Sequence, residues 1–61
     1  MKSYRVYWLN RRRRIVRGDW IEAHDDEDAR QKAAGLCNEE THSVEVWERS
    51  RPVGTVDCIR Q

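Results

Sequence analysis

Apolar positions along this chain follow a two-residue period near both ends and a helical period in the middle. Ser3-Tyr-Arg-Val-Tyr-Trp-Leu9 is dense in β-branched and aromatic residues and short for a helix, which predicts a first strand. Asn10 to Arg13 is polar and opens on a turn-tolerant residue. Arg14 to Ala23 then resumes an apolar pattern, so the two segments form a hairpin. Gly18, inside the second strand, predicts a bulge and a change of phase between Ile15 and the later pair Ile21 and Ala23.

At His24-Asp25-Asp26-Glu27-Asp28 the period lengthens. Asp25 is a good N-cap, and the acids after it sit where the positive end of a helix dipole favours them. Ala29, Ala33, Leu36 and Cys37 make one narrow stripe of mostly small residues, able to approach a sheet closely, and Asn38 is the expected C-terminal cap. Ser43 to Arg49 alternates strictly, with Val44 and Val46 on one face and Glu45 and Trp47 on the other. After the turn at Ser50-Arg51-Pro52, residues 53 to 58 return as a short edge strand.

The expected fold is therefore α+β: a single ββαββ domain over residues 1–61. A right-handed crossover gives a four-stranded antiparallel sheet of order 2-1-3-4 with one helix packed on one face. The covered face is expected to hold Tyr7, Leu9, Ile15, Ile21, Ala23, Val44 and Val46. If Asn10 pairs with Arg14, the bare face gathers Tyr4, Val6, Trp8, Val16, Trp20 and Trp47. An uncovered sheet face in a monomer is normally polar, so this Trp-rich set is the candidate interface.

Size sharpens that reading. A chain of 61 residues, 38% hydrophobic, buries roughly 60% of its unfolded surface and stands close to the limit for folding without a staple or a partner. Six Val, three Ile, three Trp and two Tyr against two Leu argue against disorder and against a helical bundle. No apolar run approaches the ~20 residues that span a bilayer, and the first residues lack a signal-peptide core, so no membrane partner and a cytoplasmic location are expected. Cys37 and Cys58 fit neither a Cys-x-x-Cys nor a zinc-knuckle spacing; a disulfide between them is geometrically possible in some folds, but a cytoplasmic chain is expected to keep them as free thiols.

The net charge of +1 conceals segregation: +7 over residues 1–18, −8 over 19–48 and +2 over 49–61. The sharpest local feature is Arg11-Arg-Arg-Arg14, a hairpin tip suited to phosphate contacts. The topology also brings that tip toward Glu39, Glu40 and the negative end of the helix. Arg49 and Arg51 fall toward Asp25 to Asp28, so solvation or internal compensation competes with ligand binding.

With these elements in place, Tyr4-Arg-Val-Tyr-Trp-Leu9, Asp25-Asp-Glu27 and Val44-Glu-Val-Trp47 resemble the corresponding segments of a group of short, uncharacterised bacterial ββαββ proteins. The resemblance implies the same architecture and carries no activity. Members commonly have Asp and Gly in the first turn, where this chain has Asn10 and arginines, so an arginine-dependent role would be its own.

Little here suggests an enzyme. Neither His24 nor His42 has a second ligand at metal spacing, and Asp25 to Asp28 lacks the glycine and distal glutamate of a calcium loop. No catalytic residue, metal or cofactor is expected. The expectation is a small non-catalytic protein-interaction module, a homodimer through the Trp-rich face. The alternative is a nucleic-acid-binding accessory or regulatory protein using Arg11, Arg12, Arg13 and Arg14.

Overall fold

In the computed structural model, which describes residues 1–58, the elements run β1 (Lys2–Leu9), β2 (Ile15–Ala23), α1 (Asp26–Ala34), β3 (Ser43–Glu48) and β4 (Arg51–Asp57). Arg60 of the basic tail lies outside the described residues. The strands form one antiparallel sheet in the order β2-β1-β3-β4, with α1 on one face, as the sequence pattern predicts.

The helix starts where the acids place it. Asp25 is extended, its Oδ1 accepts the Asp28 amide proton at 2.8 Å, and Asp28 Oδ2 in return accepts the His24 amide proton at 2.9 Å. The helix ends earlier than expected. Gly35, a poor helix former, is the C-cap, and Leu36 N–H bonds Ala33 O in a tightened last turn. Asn38 instead organises the following connection, its Oδ1 accepting from Glu40 N–H at 3.0 Å and the Thr41 hydroxyl at 2.7 Å.

The core lies between α1 and the middle of the sheet. Tyr4, Val6, Val44, Val46, Ala23, Ala29 and Ala33 are fully buried, and Trp8 is 7% exposed. Ala29 and Ala33, both fully buried, are small enough to bring the helix close to the sheet. The two large aromatics then reach its ends: the Tyr4 hydroxyl donates to Asp26 Oδ1 at 3.0 Å, and Trp8 Nε1–H donates to Leu36 O at 3.0 Å. Four strand residues span about 13 Å and ten residues of helical rise about 15 Å, so the two anchors are commensurate.

This corrects the expected faces of β1. Asn10 does bond Arg14, and Leu9 faces Ile15. The next pair, however, is Trp8 with Arg17, so Val16 is the extra residue of a bulge. The bulge sits at Val16 rather than Gly18, and it moves the rest of β2 by one position against β1. Tyr4 then faces Ile21 and Val6 faces Val46, which puts Tyr4, Val6 and Trp8 under the helix. Tyr7, expected there, goes to the other face with Arg5. Ile15 is exposed rather than buried, and Leu9 is buried outside the main core cluster. Ile21, Ala23, Val44 and Val46 take the covered positions expected of them.

The cysteines also depart from expectation. Cys37, just past α1, and Cys58, just past β4, form a disulfide with their Cα atoms 5.5 Å apart. The expectation of free thiols rested on compartment. It left out that the two elements carrying the cysteines end beside each other, where His42 O accepts the Cys58 amide proton. Closing a loop of 21 residues' separation contributes about 3 kcal/mol by the chain-entropy estimate, comparable with burying one large core side chain. Reduction, or Cys37→Ser, is accordingly expected to lower unfolding free energy by about 3 kcal/mol in urea titrations monitored by circular dichroism. Equal midpoints with and without reductant would show that the bond carries no stability.

Candidate functional site

Two surfaces survive as candidates: the uncovered face with the β2 edge, and the arginine tip. Pairing puts Arg5, Tyr7 and Leu9 of β1, Gly18 and Trp20 of β2, and Glu45 and Trp47 of β3 on the uncovered face. Arg5 is its centre. The guanidinium carbon lies 4.9 Å from the Trp20 ring centroid and 5.4 Å from that of Tyr7, and Trp47 is the β3 residue opposite Arg5. Tyr7 leans over Gly18, where a Cβ would approach its ring to 3.3 Å, so the absent side chain makes room for the aromatic. Trp47 is half-buried and its Nε1–H donates to Glu45 Oε1 at 2.7 Å.

The expected interface residues therefore separate. Tyr4, Val6 and Trp8 are core and unavailable to a partner, whereas Val16, Trp20 and Trp47 remain on the surface side of the sheet. Among the described residues the large apolar side chains left exposed are Met1, Ile15 at 57%, Val16 at 61% and Trp20 at 58%. Three of these four lie in the first six residues of β2, an edge strand of the sheet.

Arg5, Tyr7 and Ile15 are site residues that the sequence reading missed. A signal for Arg5 was present. Any phase that buries Tyr7 and Leu9 also drives Arg5 under the helix, where the Asn10–Arg14 register would set Asp19 opposite it, so that a charged pair would have to be desolvated there.

The arginine tip is built as a three-residue hairpin loop. Arg13 N–H bonds Asn10 O at 2.9 Å, and Asn10 Oδ1 accepts the Arg12 and Arg14 amide protons at 2.9 and 3.1 Å. Arg13 adopts φ 61°, the left-handed conformation usually given to glycine, which disfavours a side-chain-bearing residue by about 1–2 kcal/mol. All four arginines are exposed. Arg11 shares a hollow with Glu39 and Glu40, yet among the described residues no ion pair joins Arg11 to Arg14 with an acid. Compensation at this end is one of proximity, without contact.

At the opposite end the compensation is direct. Arg51 donates to both Asp26 oxygens at 2.9 and 3.0 Å and also bonds Glu48, so the basic second hairpin is tied to the helix start. Arg51, and then Tyr4, as donors hold the Asp26 carboxyl down to about 2. Burial, reinforced by its bond to Asp26, pushes the Tyr4 hydroxyl up to about 12, and the two carboxylates raise the Arg51 guanidinium. The His24 amide proton similarly lowers Asp28.

Family models, curated proteins and solved structures were compared with the chain, and none matches it. No helix among the described residues is long and apolar enough to cross a membrane.

These shifts set the pH limits. Tyr4 is raised, so its contribution is whole below the unfolded value near 10 and is lost as pH rises toward 12. Asp26 is lowered, so its contribution is whole above the ordinary carboxylate range and is lost as pH falls toward 2. Urea midpoints measured between pH 8 and 12 (about the phenol range) are expected to fall more steeply for the native chain than for Tyr4→Phe. Parallel curves would place the alkaline loss elsewhere.

Proposed function

We propose that this chain is a non-catalytic protein-interaction module that self-associates as a homodimer through the sheet surface left bare by the helix, centred on Trp20. The observation that carries this reading is the concentration of exposed Ile15, Val16 and Trp20 on one edge strand of a domain with a small core. The original interface set is reduced to Val16, Trp20 and Trp47, with Arg5, Tyr7 and Ile15 added. The Cys37–Cys58 bond favours an oxidising compartment over the cytoplasm, and the proposed module does not depend on either.

One observation favours a second reading, nucleic-acid binding by Arg11 to Arg14. Arg13 keeps a cationic side chain at a backbone position where glycine is unstrained, and the four guanidinium groups stay exposed.

Sedimentation of the full chain at micromolar concentration tests both. The proposal expects a species of twice the 7.3 kDa chain mass, converted to monomer by Trp20→Lys with its circular dichroism unchanged. A native chain that stays monomeric contradicts it. Co-sedimentation of an added oligonucleotide at low salt, lost when the four arginines become glutamine, would favour the second reading instead.

A further inference from the structure

We infer that the partner is a second copy of this chain, joined by antiparallel pairing of the two β2 edges about a two-fold axis at Gly18. This rests on the self-association reading and specifies its geometry. Of the two edges of the sheet, β4 carries Pro52, which blunts strand addition. β2 is nine residues long and has no proline.

The backbone of β2 is oriented for such a pairing. The Trp20 N–H bonds the adjacent Asp19 Oδ1 at 2.8 Å rather than a β1 carbonyl, as expected of an amide on the outer edge. By the alternation of an antiparallel ladder, the N–H and C=O of Gly18 also face outward, so two copies meeting at Gly18 exchange a reciprocal pair of hydrogen bonds. Asp19 now occupies the donor that a second strand would take.

The side chains are self-complementary about the same point. Reading outward from Gly18, Arg17 of one copy faces Asp19 of the other, and Val16 faces Trp20, each pair occurring twice. Arg17 and Asp19 share one face and are 3.9 Å apart within the chain, a long and exposed contact. Val16 and Trp20 are the most exposed large apolar side chains of β2. The bulge at Val16 sets Ile15 beside it, so each Trp20 ring meets two aliphatic neighbours. It also confines regular pairing to residues 16–20. A continuous eight-stranded sheet results, with both helices on one side.

Charge reversal tests this register. Arg17→Glu sets a carboxylate against Asp19 of the second copy, and Asp19→Lys sets an ammonium group against the second copy's Arg17. Each variant alone is expected to weaken dimerisation at least tenfold, and an equimolar mixture is expected to form the heterodimer by native mass spectrometry. Reversals that leave the dimer intact, or a mixture that stays monomeric, overturn the edge pairing. If Trp47→Lys dissociates the dimer while the reversals do not, the copies pack face to face and the self-association reading stands without this one. A native chain that is monomeric at every concentration overturns both. Hydrogen exchange on the native dimer needs no variant: Gly18 and Trp20 amides are expected to be protected, and fast exchange at both contradicts the pairing.

Discussion

β1 can place only one of its two side-chain rows beneath the helix, and the row placed there is the one whose aromatics hydrogen-bond the two ends of α1. With Arg5 outside, Tyr4, Val6 and Trp8 go under α1, and the polar ends of Tyr4 and Trp8 find partners at the two ends of the helix, Asp26 and Leu36 O. The helix has little apolar surface of its own, chiefly Ala29 and Ala33. Its position is therefore set by what β1 presents to it rather than by its own hydrophobic stripe.

The charge layout follows from the same placement. Anchoring the helix start over Tyr4 brings Asp26 to the second hairpin, where Arg51 and Glu48 close a charged cluster around a buried hydroxyl. The helix end, held over Trp8, lies on the side of the arginine tip, and Arg17 stacks over the same Trp8 ring at 5.0 Å. The far end of the sheet is thus held by charge-assisted bonds, while the tip end is held by the disulfide and leaves Arg11 to Arg14 free of ion pairs among the described residues.

Much of the architecture was legible in the residues. Alternation in 43–48 located β3, the acids after Asp25 located the helix start, and the crossover rule ordered the strands. The face of β1 was not legible from apolar spacing, because Tyr4, Val6, Tyr7, Trp8 and Leu9 offer apolar residues to both rows. A bulge at Val16, which no glycine or proline signals, then shifts the register by one. The disulfide stood as a geometric possibility, set below free thiols by the expectation of a cytoplasmic chain; the topology, which brings the ends of α1 and β4 together, closes it.

Which aromatic is inside decides the rest. Indole N–H exchange followed by nuclear magnetic resonance separates Trp8, hydrogen-bonded to Leu36 O and 7% exposed, from Trp20, 58% exposed. Measured at a concentration where the chain is monomeric, slow exchange at Trp8 and fast exchange at Trp20 is the predicted result. Fast exchange at Trp8 with protection at Trp20 would mean that β1 presents its other row to the helix, and the core, the charged cluster and the self-complementary edge would all have to be reassigned.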